Sequence, residues 1–210
     1  TSLRCAVWLL ASNEPPAPSP CTHSTIVRVS GVLPGKAVSP FVAEWLPRIV
    51  AEMNGHPGPR RALDLAMGEG RHAIPLAESG FLTFGVDLAV DRLQTARRTL
   101  DGHGLRVLQW AADLDTYPLP SGCFDLLFCT RFLLRARWDD LKRSVRPGGF
   151  VMYETFTTGQ IARGFGPSSP DHLLHPGELA RAFDDWPILH SEEVEAPAAM
   201  ARLVARKPGA

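Results

Sequence analysis

Apolar residues at Phe41, Val42, Trp45, Leu46, Ile49 and Val50 recur at the three- and four-residue spacing of one helix face. Ser39 and Pro40 stand before them as a cap and a first-turn proline, which predicts a helix over 41–53. Beyond it, short apolar runs alternate with longer amphipathic stretches. Strands are predicted near 61–66, 82–87, 106–111, 124–129 and 149–155, and helices near 70–79, 89–101, 136–145 and 176–184. Strands that alternate with helices build βαβ units, and near-continuous apolar runs suit a parallel sheet covered on both faces. The last two runs, 187–194 and 199–205, have no helical stretch between them and read as an antiparallel hairpin. The expected fold is α/β: a doubly wound, mostly parallel seven-stranded sheet with a C-terminal antiparallel edge hairpin.

Residues 1–38 break this pattern. Six of the 19 prolines fall within the first 40 positions, and Glu14-Pro-Pro-Ala-Pro-Ser-Pro20 can hold neither a helix nor a central strand. The segment is expected to be a poorly ordered arm with a short strand or arm at 25–32, and the domain proper to occupy 39–210. Arg4 followed by Cys5–Ala11 only faintly mimics a signal peptide, because no small-x-small cleavage site follows. The 210 residues suffice for one domain with its own core. Equal counts of 22 basic and 22 acidic residues give no electrostatic case for a nucleic acid or an anionic membrane. No apolar run nears the roughly 20 residues that span a bilayer. Cys5, Cys21, Cys123 and Cys129 show no C-x-x-C spacing. Cys123 and Cys129 flank or lie in an apolar strand, where small buried thiols are common, while a Cys5–Cys21 disulfide stays open. No His or Cys cluster has ligand spacing, so no metal is expected. The expected setting is reducing and cytoplasmic.

Chemistry concentrates in Ala62-Leu-Asp-Leu-Ala-Met-Gly-Glu-Gly-Arg71. Gly68 and Gly70 close a predicted strand, and a helix is expected from Arg71. A glycine turn there lets a ligand lie on bare backbone, with the N–H groups of the helix's first turn pointing at it. Asp87 stands seventeen residues after Gly70, at the end of the next apolar run, placed to accept hydrogen bonds from a ribose diol. Together they predict a nucleoside-containing cofactor. Gly68-x-Gly70-x-x-Ala73 also fits the dinucleotide pattern. Three features turn the choice: a carboxylate, Asp64, inside the strand; Ala112-Asp113 after the third run; and Arg146-Pro-Gly-Gly149 directly before Phe150–Tyr153.

These residues resemble the class I S-adenosylmethionine-dependent methyltransferases, over about residues 39–206. The family motif Asp-x-Gly-x-Gly-x-Gly reads here Asp64-x-Ala66-x-Gly68-x-Gly70, with alanine in place of the first glycine. The chain looks most similar to small bacterial tellurite-resistance and thiol-methyltransferase-like proteins. Tyr153-Glu-Thr-Phe156 and the segment Gly166–Leu179 look like markers of that branch. The resemblance implies a Rossmann-like sheet and S-adenosyl-L-methionine as cofactor. It implies a first loop of Asp64, Ala66, Gly68 and Gly70, with Asp64 facing the methionine amino group. Asp87 would take the ribose, Leu88 would pack beside the adenine, Asp113 would take the adenine amino group with Leu114 in the same pocket, and Thr130 would lie under the methionine.

The expected reaction is in-line methyl transfer to a small-molecule acceptor, a thiol, an oxyanion or a similar nucleophile. A sulfonium methyl needs a positioned nucleophile and excluded water, and a base only where the acceptor is protonated. Arg131, Tyr153, Glu154 and Thr155 follow or end strands, where parallel sheets place ligands. The long loop 156–175 carries Arg163, His172 and His175, and reads as a lid or a mobile surface loop. His172, His175 and Arg131 are the candidate catalytic residues, and His72 is read as a polar lining of the cofactor mouth. An NAD-dependent oxidoreductase and a cofactor-binding module without catalysis are the alternatives. The oligomeric state stays open.

Overall fold

A computed structural model describes residues 37–55 and 58–209. The readings made for residues 1–36, the proline-rich arm and the 25–32 strand, lie outside the described residues. Helix α1 (Pro40–Glu52) is followed by β1 (Arg61–Leu65), α2 (Ala73–Glu78), β2 (Leu82–Asp87), α3 (Val90–Gly102), β3 (Val107–Ala111) and β4 (Phe124–Thr130). Then come α4 (Trp138–Ser144), β5 (Val145–Phe156), α5 (Glu178–Ala182), β6 (Ile188–Val194) and β7 (Met200–Arg206). The seven strands form one sheet in the order β3-β2-β1-β4-β5-β7-β6. The first five run parallel, while β7 lies antiparallel to both β5 and β6. This is the expected doubly wound sheet with its antiparallel edge.

Side chains on successive strand residues point to opposite faces, and the core divides accordingly. Leu63, Leu65, Phe84, Val86, Leu127, Cys129, Val151 and Tyr153 pack on one face with Leu141 of α4 and Leu179 of α5. Ala62, Leu126, Phe128, Phe150, Met152 and Val204 pack on the other under Phe41, Val42, Leu46 and Ile49 of α1. Asp64 shares its strand's facing with Ala62, on the α1 side of the sheet.

Two boundaries differ from the sequence reading in ways that matter. The helix after β1 begins at Ala73, not Arg71, and is six residues long. The stretch Gly70–His72 is a turn, so no helix N-terminus faces the ligand there. Arg146-Pro-Gly-Gly149 lies within β5 as an irregular stretch: the pairing slips from Phe124↔Val145 to Leu126↔Phe150. A Cβ at Gly149 would sit 2.9 Å from the Asp125 carbonyl oxygen and 3.0 Å from that of Arg146, so only glycine passes. Arg146 pairs with buried Asp125, whose other oxygen accepts the Arg61 N–H at 2.7 Å. The motif therefore ties the amino-terminal ends of β1, β4 and β5, the end opposite the candidate site. Cys123 is disulfide-bonded, which corrects its reading as a free buried thiol; Cys129 is buried and free.

Candidate active site

The loop after β1 is built around Asp87. One carboxylate oxygen accepts the Gly68 N–H at 2.8 Å and the other accepts the Ala89 N–H at 2.9 Å. Asp87 thus fixes the glycine turn to the end of β2 and still has lone pairs left for a diol. Three consecutive motif positions are left-handed: Ala66 at φ 53°, Gly68 at φ 56° and Gly70 at φ 77°. Their reasons differ. A Cβ on Gly68 would meet nothing within 4 Å, which leaves that side open to a ligand. A Cβ on Gly70 would meet Ala96 at 3.1 Å and Met67 at 3.3 Å, so this glycine serves the packing of α3 on the loop. Ala66 holds a conformation that costs an L residue about 1–2 kcal/mol. The replacement of the family's first glycine is therefore a strained position, and more than an added methyl.

Asp64 is buried, and its Oδ2 has no hydrogen-bond partner. Burial pushes its carboxyl up from 3.8 to about 8, against the pull of Arg71 and with a push from Asp87. An orphaned buried carboxyl oxygen beside an open glycine fits a ligand that brings a cationic hydrogen-bond donor. His72 is buried as well. Its Nε2 accepts the Ser39 N–H at 3.3 Å, so Nδ1 carries the proton and donates to the Thr130 hydroxyl at 3.1 Å. Burial, then Arg71 and Arg131, push its pKa down from 6.5 to about 3. His72 is a neutral strut between the start of α1 and the end of β4, which corrects its reading as a mouth lining.

Beyond the carboxyl ends of β1, β2 and β3 lies a cavity of about 280 Å³. Ala66, Asp87, Leu88, Asp113, Leu114 and Arg131, all expected site residues, line it. Leu88 is 69% exposed, an apolar side chain with an open face. One Asp113 carboxylate oxygen caps its own turn by accepting the Asp115 N–H at 3.0 Å. Asp64, Gly68, Gly70 and Thr130 do not line this cavity; they belong to the β1–α2 turn and to β4. Arg92, Ala112, Asp115 and Phe132 line it and were missed. Asp115 was visible as a second acid next to Asp113, whereas Phe132 looked like one more apolar residue.

A second cavity, of about 450 Å³, shares Asp115, Arg131 and Phe132 with the first. Leu133, Leu134, Phe156, Pro167, Asp171 and His172 complete it. Arg131 and Phe132 are the partition between the two spaces. Arg131 is the other non-glycine residue with left-handed backbone, at φ 55°, and its N–H donates to the Glu154 carbonyl at 2.8 Å.

The loop after β5 reaches this second cavity with only part of its expected cast. His172 lines it; His175 does not. The His175 N–H donates to Glu178 at 2.7 Å, and its side chain is exposed at the entrance to α5. Arg163 pairs with Glu195 at 3.1 Å. Tyr153 is buried beneath the cavity, its hydroxyl donating to the Phe132 carbonyl at 2.9 Å, and Glu154 is buried against Arg202 at 2.7 Å. The loop base is tied down rather than free. Buried Gln160 donates to the Phe165 carbonyl at 2.7 Å and accepts the Ala199 N–H at 2.9 Å. Arg135 donates to the Asp171 and Leu173 carbonyls and pairs with Glu178.

Comparison with known proteins agrees with this geometry. Residues 62–149 match the model of a methyltransferase domain family. A ubiquinone biosynthesis O-methyltransferase of Bordetella avium is 26% identical over 167 residues, 70% of this chain and 68% of that protein. A malonyl-[acyl-carrier protein] O-methyltransferase of Serratia marcescens is 28% identical over 119 residues, 54% of this chain but only 45% of its own length. The fold of TehB from Haemophilus influenzae superposes with a TM-score of 0.62 at 19% identity, covering 80% of this chain and 65% of that one. The family match decides between the two cofactor readings of the glycine loop in favour of S-adenosylmethionine.

Proposed function

The chain belongs to the class I S-adenosylmethionine-dependent methyltransferases, and from that premise we propose that it methylates a small acceptor held in the second cavity. The observation that carries this reading is the pair of adjoining cavities, which meet at one partition, Arg131 and Phe132. One space is lined by carboxylates and leucines suited to a nucleoside. The other is walled by Phe132, Leu133, Leu134 and Phe156, with polar groups at its rim.

When bound, S-adenosylmethionine supplies an electrophilic methyl group, and transfer breaks its carbon–sulfur bond to leave a neutral thioether. The chain's own groups hold and orient. Asp87 accepts hydrogen bonds from the ribose hydroxyls while its other contacts keep the glycine turn in place. Leu88 and Leu114 cover the adenine, and Asp113 accepts from its amino group. Asp64 turns its unpartnered oxygen to the amino-acid ammonium. Thr130 contributes indirectly, since its hydroxyl is engaged by His72. The apolar walls of the second cavity exclude water and aim the acceptor at the partition. His172 is the one loop histidine placed to accept a proton from an acceptor hydroxyl or thiol. The choice between sulfur, oxygen and another nucleophile is left to the rim residues.

The test is a transfer assay with methyl-labelled S-adenosylmethionine against a panel of small thiols and phenols. Labelled product and S-adenosylhomocysteine should accumulate together with at least one of them. Binding of the cofactor with no transfer to any acceptor would favour a module without catalysis.

A further inference from the structure

Arg71 follows the glycine turn and Arg131 follows β4, on neighbouring strands of the sheet, where Leu65 pairs with Cys129. Resting on the methyltransferase reading, we propose that Arg71 and Arg131 together form a carboxylate-binding site on the cofactor side of the Arg131–Phe132 partition.

Neither guanidinium makes a hydrogen bond or an ion pair among the described residues. This contrasts with Arg135, Arg137, Arg163 and Arg202, each held by a carboxylate or by backbone carbonyls. The acids nearest the pair are already spoken for. Glu154 is held by Arg202, which also bridges to Glu192 at 2.8 Å. Asp64 is kept protonated near neutrality by burial. Asp115 shares the cavity wall with Arg131 but does not pair with it. The result is uncompensated positive charge: Arg131 lowers the pKa of Arg71, and both arginines lower that of His72.

The backbone supports the placement. Arg131 is held in the left-handed region by its N–H bond to Glu154, a strain of the sort that persists where surrounding structure over-determines it. Arg71 is fixed by Gly70, which is packed against Ala96. Two forked guanidiniums converging from adjacent strands suit a planar carboxylate, which accepts two parallel hydrogen bonds from each fork. That carboxylate belongs either to the amino-acid end of the cofactor or to an acidic acceptor seated behind the partition.

Calorimetric titration separates these sources, on wild type and on Arg71→Gln, Arg131→Gln and the double variant, with thermal melts as the check on folding. If the carboxylate is the cofactor's, each variant binds S-adenosylhomocysteine about tenfold or more weakly. Binding of 5′-methylthioadenosine, which lacks the amino-acid end, stays at the wild-type value. If it is the acceptor's, both nucleosides bind as before. The variants then lose the preference of S-adenosylhomocysteine-loaded protein for 3,4-dihydroxybenzoate over catechol. The charge-keeping variants Arg71→Lys and Arg131→Lys should retain most of whichever effect is seen, and they serve where a glutamine variant does not fold. Wild-type ratios for both pairs of probes in every variant overturn the carboxylate site alone. A wild-type protein that ignores S-adenosylhomocysteine overturns the methyltransferase reading with it.

Discussion

Asp87 shows how one side chain can serve structure and ligand at once. Its carboxylate accepts two backbone N–H groups that lock the glycine turn, and the same oxygens face the nucleoside-sized cavity. Asp87→Ala should therefore weaken S-adenosylhomocysteine binding by about tenfold or more. It should also lower the melting temperature of the free protein, because Gly68 and Ala89 lose their acceptor. Unchanged affinity by calorimetry would place the ribose elsewhere. Asp64 gives a pH dependence with a definite sign. Its folded-state pKa is raised from 3.8 to about 8, so the folded state binds the extra proton. The stability this contributes is full below about pH 4 and is lost as pH rises toward about 8. Asp64→Asn removes that slope, and denaturant midpoints at about pH 5 and about pH 9 should lie closer together in the variant. Ligand binding runs the other way: an ammonium favours the carboxylate form, so wild-type cofactor affinity should climb over the same interval. The sequence made Asp64 conspicuous as an acid within an apolar run. It could not reveal the missing partner, because burial and partnering are properties of the packed neighbours.

At the scale of elements, strand and helix alternation was legible because each strand is buried on both faces and each helix carries one apolar stripe. Turns were less so. Residues 70–72 look helical by pattern, yet Gly70 is required in the left-handed region by α3 packing, which postpones the helix to Ala73. His72 was visible only as one histidine among seven. Its role depends on Ser39, 33 residues away, and Thr130, 58 residues away. The loop after β5 is the clearest case of mixed legibility. Its length marked it, and His172 does line the second cavity, but His175 and Arg163 are drawn off by Glu178 and Glu195. What sets that wall is Arg135, which grips the Asp171 and Leu173 carbonyls and Glu178. Arg135→Ala should release the wall without touching the nucleoside cavity. The acceptor KM should rise about tenfold or more, as for the loss of a charge-assisted hydrogen bond, while S-adenosylhomocysteine affinity remains that of wild type. A matching loss of cofactor affinity would show that the two cavities are not separable.

For the whole molecule, the division of labour follows the sheet. The amino-terminal ends of β1, β4 and β5 are tied by Asp125, Arg146 and the passage at Gly149. The carboxyl ends carry the open cavities and both strained non-glycine residues, Ala66 and Arg131. Among the described residues no helix is long and apolar enough to cross a membrane. The fold and the cofactor were legible because their determinants are local: a glycine turn, a strand-end acid, a period of alternation. The acceptor was not, because its cavity is assembled from residues 115, 131–134, 156, 167 and 171–172, which no short motif joins. The most direct test is a crystal structure of the protein with S-adenosylhomocysteine. The account predicts the ribose diol on Asp87, the adenine between Leu88 and Leu114, and the sulfur turned to the Arg131–Phe132 partition. Density for the nucleoside outside this cavity, or a sulfur facing away from the space lined by Phe156 and His172, would contradict it.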